Sequence, residues 1–315
     1  MWIQRESTAW PKPGTVRRNA LRAGVAQAGL AVLFIAWTLT AQVNGVLNPD
    51  RPLPDTQTFL EEFRGALHRD ARLLADYTYS ERETQMDLDS SGKTKKTETK
   101  TYQVLHGAED WQTYRRLMSK DGKPLSVKEL EKQDREEADR VAKEERKRAG
   151  WSDSKRKEEK AKDDRKEQEI IDDIFALYDI RLVRRETIDG RAVILVTYTP
   201  KDGFKPKTDE GKMLQHISGR AWIAEDDRQL ARLEAETKET ISMGAGILAR
   251  VSKGSTFMFE RRKINDEIWL PMRAEFHVSA RLLLIKGVNQ RQVIEYSDHR
   301  KYTVDTVIRA VSDPE

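Results

Sequence analysis

The stretch that decides the fold runs from Ile268 to Leu284, IWLPMRAEFHVSARLLL. Its even positions are Ile268, Leu270, Met272, Ala274, Phe276, Val278, Ala280, Leu282 and Leu284, all of them apolar. Arg273, Glu275, His277, Ser279 and Arg281 stand between them. Successive strand side chains point to opposite faces, so this alternation reads as one strand with an apolar face and a wet face. At about 3.3 Å per residue the stretch would span roughly 55 Å. Common strands have about five or six residues. A strand this long must twist and coil. Its apolar face then curls around a helix, a second sheet or a ligand.

The neighbouring sequence supplies partners for that strand. From Tyr178 onward the period of two returns, with a hairpin around the Asp189-Gly190 signal and further strands over 192–199, 217–224, 230–243 and 256–262. The Asn265-Asp266 pair turns the chain into the long strand, and residues 290–297 complete the run. Tight turns between alternating runs predict antiparallel pairing. A short helical piece is expected near 209–215. Upstream, 77–88, the Thr/Lys-rich return to Gly107 and 111–118 read as a meander with a less apolar face, hence a more solvated sheet edge.

Two helical features interrupt this rhythm. Phe59, Phe63 and Leu67, with Leu60 and Leu74, form an apolar stripe at i, i+4 and i+8. That spacing marks an amphipathic helix, capped by Asp55, Thr56 or Thr58. The long strand's apolar face is its natural partner. Between 128 and 169, by contrast, 30 of 42 residues are charged, 15 of each sign. Glu, Lys and Arg favour helix and pair at i,i+4, which predicts two helices or one broken near Gly150–Asp153. We read this insertion, 126–169, as a solvated excursion that folds only partly, with a partner-binding arm as the sharper alternative. Its zero net charge argues against nucleic acid. Apolar spacing resumes at Ile170, Ile171, Ile174, Phe175 and Leu177.

Charge and composition bound the function. The chain carries 57 Lys and Arg against 53 Asp and Glu, a formal net of +4. Residues 1–45 alone carry that +4, so the remainder is balanced and shows no nucleic-acid footprint. No charge occurs between Ala23 and Pro49, and Arg17, Arg18 and Arg22 precede that window. A basic flank before an apolar core describes an export signal, with cleavage after Gly45 or Ala41, or an uncleaved membrane anchor. Residues 1–45 are therefore expected to be a signal peptide or N-terminal anchor that meets the inner membrane at least during export. Residues 46–54 form a proline-rich linker, and 55–315 form the folded domain, periplasmic or otherwise extracytoplasmic. The chain has no cysteine, which removes disulfides and thiolate chemistry.

No catalytic motif stands out. His68, His106, His216, His277 and His299 are isolated, without metal-ligand spacing. A phosphate-binding loop, a nucleophile elbow and a dinucleotide fingerprint are all missing from the sequence. The expectation is therefore a non-enzymatic protein without cofactor or metal. The better material is apolar: Phe59, Phe63, Leu67, Trp222, Phe257, Phe259, Met272, Phe276, Leu282 and Leu284 are candidates to line a concave cavity. The plainer reading is an ordinary core sealed by the Phe59/Phe63/Leu67 helix, and the two are compatible. A curved sheet larger than one helix can cover leaves apolar volume, and apolar cavities favour apolar ligands.

Gly219-Arg-Ala-Trp-Ile-Ala-Glu-Asp-Asp-Arg-Gln-Leu-Ala-Arg-Leu-Glu234, Lys253-Gly254 with Phe257-Met-Phe259, and Ile268-Trp-Leu-Pro271 resemble the bacterial outer-membrane lipoprotein-sorting (LolA/LolB/RseB-like) superfamily. The resemblance covers roughly 55–120 and 176–305. It implies an α+β fold, mainly antiparallel β: an unclosed half-barrel wrapping one or more helices, whose hollow accepts acyl chains outside the cytoplasm. The 120–175 segment departs from the compact carriers of that superfamily, and no ligand residue carries across. Two functions follow. One is an exported carrier-like protein that binds a lipid or acylated protein in its concave face. The other is an envelope sensor or scaffold that binds a partner protein through the charged insertion.

Overall fold

The computed structural model describes residues 51–67, 76–107, 110–243, 249–282 and 286–301. The signal or anchor expected over 1–45, most of the linker, and Leu74 and Leu284 lie outside the described residues.

Turn chemistry lays down the sheet. Asp121-Gly122, Asp189-Gly190 and Asn265-Asp266 all have positive φ, the backbone that two-residue hairpin turns require. Strands β1 (Tyr77–Leu88), β2 (Thr94–Leu105), β3 (Tyr114–Lys120) and β4 (Lys123–Pro124) form the N-terminal meander. After the insertion come β5 (Tyr178–Ile188), β6 (Arg191–Pro200), β7 (Ile217–Ala224) and β8 (Leu230–Thr237). Short β9 (Ile241–Met243) and β10 (Ala249–Val251) lead to β11 (Thr256–Ile264), β12 (Ile268–Leu282) and β13 (Lys286–Lys301). All thirteen form one open antiparallel sheet in the order β4-β3-β2-β1-β13-β12-β11-β8-β7-β6-β5. β10 extends it by pairing β12 beyond the end of β11. The expected unclosed α+β half-barrel is present, with β4 and β5 at its edges.

Helix α1 (Thr56–Ala66) lies against this sheet. The Asp55 carboxylate caps it, accepting from Thr58 N at 2.9 Å and Thr58 Oγ1 at 2.8 Å, which satisfies an otherwise unpaired first-turn donor. Phe59 is buried in the main core with Ile194, Val196, Ala221, Ile223 and Phe276.

The charged insertion is better ordered than its composition implied. It folds as two long helices, α2 (Val127–Ala149) and α3 (Asp153–Leu177). A capping box between Ser126 and Glu129 starts α2. Gln133 then makes two bonds with the Leu117 backbone, each 3.1 Å, which tie the helix to β3. Ion pairs along both helices reinforce them. α2 leaves from β4 at one edge of the sheet and α3 ends directly in β5 at the other, so the insertion links the two edges of the open half-barrel. α4 (Asp209–Leu214) fills the expected helical piece between β6 and β7.

The long strand differs from its sequence reading at one point. The β11–β12 register shifts between Glu260, paired with Arg273, and Arg261, paired with Pro271. Met272 is the extra residue. An insertion of one residue exchanges the faces that successive positions serve. Beyond it, Ala274 and Phe276 join the concave core with Phe59. Before it, Ile268 and Leu270 pack on the opposite face with Tyr77, Val193, Leu195 and Trp269. The even positions on the two sides of Met272 therefore serve two different cores. His277 is exposed, as its place between apolar positions suggested.

Candidate functional site: an apolar hollow under two helices

The concave face, α1, α3 and α4 leave a partly enclosed cavity of about 260 Å³ between them. α1 contributes Leu60, Phe63 and Leu67; α3 contributes Ile171, Ile174 and Phe175; α4 contributes Met213 and Leu214. The sheet supplies alternate residues, among them Val196 and Tyr198 of β6, Ala221 and Ile223 of β7, Leu233 and Ala235 of β8, Phe257 of β11, and Phe276 and Val278 of β12. These surfaces are almost wholly hydrocarbon, and an empty apolar volume stays dry or takes an apolar guest.

Five polar side chains of the lining bond to the backbone. Tyr178 Oη donates to Leu214 O at 2.8 Å and Tyr198 Oη to Glu234 O at 2.9 Å. Burial pushes both phenols far above their usual range, so both remain neutral. Thr237 Oγ1 and Ser255 Oγ both donate to Ser252 O, at 2.8 and 2.9 Å. Arg261 Nη2 donates to Trp269 O at 2.8 Å. These bonds engage the four hydroxyls and part of the Arg261 guanidinium. Such a lining can accept a hydrocarbon chain but has little with which to recognise a head group.

Two joints hold the helices over the hollow. Phe63 and Phe175 meet with ring centroids 6.2 Å apart, and Arg64 pairs with Asp172 above them. Deeper in, the buried Asp173 carboxylate accepts from Lys207 N at 3.1 Å, Thr208 N at 2.7 Å and Thr208 Oγ1 at 2.7 Å. Burial alone would raise this carboxyl, but the Thr208 and Lys207 bonds hold it below the ordinary aspartate value. They pin α3 to the loop that caps α4. Gly219 permits another close approach: a Cβ there would lie 1.9 Å from Glu234 O and 2.5 Å from Tyr198 Oη.

The sequence candidates divide accordingly. Phe63, Leu67, Phe257 and Phe276 line the cavity. Phe59 and Phe259 are buried in the core behind it, Phe259 stacked on Phe257 with centroids 6.3 Å apart. Trp222 is corrected to the opposite face, because Ala221 and Ile223 on either side of it take the concave positions. Its Nε1 donates to Glu186 Oε2 at 2.7 Å. Met272 sits at the register shift and is not among the lining residues. Leu282 ends β12, and Leu284 is outside the described residues. Tyr178, Tyr198, Met213 and Leu214 were not foreseen as lining. The only early signal for them was strand or helix rhythm, without the aromatic clustering that singled out Phe257 and Phe276.

Among the described residues, no group of three or more His, Asp or Glu could hold a metal ion, and no helix is long and apolar enough to cross a membrane.

An open antiparallel half-barrel with an apolar hollow is the class that fold and site define. No family model matches the chain, and no curated protein matches it. The chain is similar to a LolA superfamily protein, NE2245, from Nitrosomonas europaea, at 12% identity and a TM-score of 0.30, covering 80% of this chain and 96% of that one. It is also similar to a putative outer membrane lipoprotein-sorting protein domain from Vibrio parahaemolyticus, at 9% identity and a TM-score of 0.32, covering 78% and 92%. A third similar structure is the Pseudomonas aeruginosa MucA/MucB complex, at 10% identity and a TM-score of 0.21, covering 78% and 99%. The description of the hollow rests on the geometry of this chain.

Proposed function

We propose that this protein is a non-enzymatic, carrier-like binder of apolar chains, taking the acyl portion of a lipid or acylated protein into its concave cavity. One observation carries this reading. The hydroxyls of Tyr178, Tyr198, Thr237 and Ser255 and the buried Arg261 guanidinium are bonded to the backbone around about 260 Å³ of largely hydrocarbon-lined space under α1 and α3. Moving an acyl chain from water into that space gains about 0.8 kcal/mol per buried methylene. The lining selects for length and shape, and the head group stays at the rim near Glu236, whose carboxylate is held by Lys238 at 2.6 Å. An extracytoplasmic setting, where such chains are exchanged, is part of the proposal.

The test is native mass spectrometry of the full chain purified from its own membranes without added lipid. A co-purifying acyl-bearing species, displaced by added fatty acid, supports the reading. Ligand-free protein that also fails to take up a fatty-acid probe after delipidation contradicts it.

A further inference from the structure

Although the insertion is neutral overall, its charges are sorted along its length. Residues 128–142 carry four Lys/Arg against six Asp/Glu, net −2. Residues 143–157 carry seven against three, net +4, and 158–169 return to net −2 with four against six. The positive middle is the tip where α2 ends and α3 begins. Lys143, Arg146, Lys147, Lys155, Arg156 and Lys157 are all exposed there.

A tryptophan is held in the centre of this patch. Trp151, half-buried in the connecting loop, has Arg148 Cζ 5.2 Å, Lys155 Nζ 5.5 Å and Lys147 Nζ 5.6 Å from its ring centre. The Arg148 guanidinium also lies 4.9 Å from the Trp111 ring, at the β2–β3 turn, and Arg140 Nη1 donates to Trp111 O at 2.6 Å. Cation–π contacts of this kind fix the tip against the body of the protein. The cations at the start of α3 are not explained by helix stability. A helix N-terminus carries positive partial charge and favours acidic side chains. Lys155, Arg156 and Lys157 nonetheless stand in the first two turns after Asp153.

We propose that the α2–α3 tip is a docking surface for an anionic lipid bilayer, with Trp151 at head-group depth and the surrounding Lys and Arg on lipid phosphates. Tryptophan favours the membrane–water interface, and each basic residue near an anionic leaflet contributes about fivefold in partitioning. The flanking −2 segments favour a bilayer over an extended polyanion. A flat surface can meet the tip alone, while a nucleic acid or acidic chain lying along the helices would run onto acidic ground. This inference stands apart from the cavity reading, and neither requires the other.

The test uses the full chain with phosphatidylcholine vesicles, with and without phosphatidylglycerol, and reads the ratio of bound protein between the two. Comparing that ratio across variants cancels what the rest of the chain contributes. K155E/R156E/K157E is expected to lower the ratio more than tenfold. The control K93E/K95E/K96E, exposed residues at the β1–β2 hairpin, is expected to leave it within about twofold, since a site remote from the docked surface is screened. W151S is expected to weaken binding to the anionic vesicles about threefold at raised salt, where charge is screened and the indole contribution remains. Unchanged thermal melts establish that the variants fold. An unchanged ratio for the tip variant overturns the proposal, and so does an equal fall in the control. A tip variant that loses polyglutamate binding equally, with W151S silent in both assays, also overturns it, in favour of an acidic protein partner.

Discussion

The two faces of the sheet are both buried around β6, β7 and β8, but they are filled differently. On the opposite face, Trp222 and Trp269 occupy the space with large indoles whose N–H groups are satisfied by Glu186 at 2.7 Å and Asp227 at 2.8 Å. Lys263 completes the second site, pairing with Asp227 at 2.8 Å while almost fully buried. On the concave face, Ile194, Val196, Ala221 and Ile223 are smaller, and helices rather than indoles cover them. The first arrangement is a packed core and the second leaves a hollow. Apolar composition alone does not make a binding site; residual volume does.

Variants on the two faces should therefore separate stability from binding. The largest expected effect is Trp269→Ala. It opens a cavity and leaves the buried Lys263–Asp227 pair without its indole donor, so chemical denaturation should show a loss of about 3–5 kcal/mol. Fatty-acid uptake per folded molecule should be unchanged. Equal loss of uptake would show that the two faces are not independent.

Asp173→Asn comes next. It removes a buried carboxylate that accepts three bonds, and should cost about 2 kcal/mol by denaturant titration. Because the folded carboxyl titrates below its ordinary value, the stability that it lends is complete above about pH 4 and is lost as the pH falls through the lower folded value. The wild-type advantage over Asp173→Asn should accordingly shrink on acidification and be absent once the Asp173 carboxyl is protonated in the folded protein. An advantage independent of pH would assign Asp173 a purely steric role.

The smallest effect belongs to the α1–α3 joint. Arg64 and Asp172 are 41% and 52% exposed, so Arg64→Ala should change stability by less than about 1 kcal/mol. Stopped-flow measurements should nevertheless show faster release of a bound fatty-acid probe, because Arg64 also covers the Phe175 ring at 5.5 Å. An unchanged release rate would place the exit elsewhere.

Much of this contrast was legible before the structure. The Phe59/Phe63/Leu67 stripe placed a helix on the sheet, and the Asp-Gly and Asn-Asp turns marked the hairpins, because both signals are local. The face on which each strand residue lies was less legible. The run Ala221-Trp-Ile-Ala224 is apolar throughout and buried on both sides, so no alternation marks Trp222 as outward. The shift at Met272 is set by the register of β11, which the apolar spacing of β12 cannot report. The insertion misled in a different way. Its composition is that of a solvated segment, yet capping and anchoring to β3 order α2, and the end of α3 forms one wall of the hollow.

The most direct test fills the hollow. Ala235 lies on the concave face, paired with Phe257 of β11 and Gly219 of β7. Ala235→Phe should enter the empty volume at a stability change of about 1 kcal/mol or less. Titration of the delipidated protein with a fluorescent fatty acid should give saturable uptake by wild type and at least a tenfold loss in the variant. Equal uptake by both would contradict the assignment of the concave cavity as the binding site.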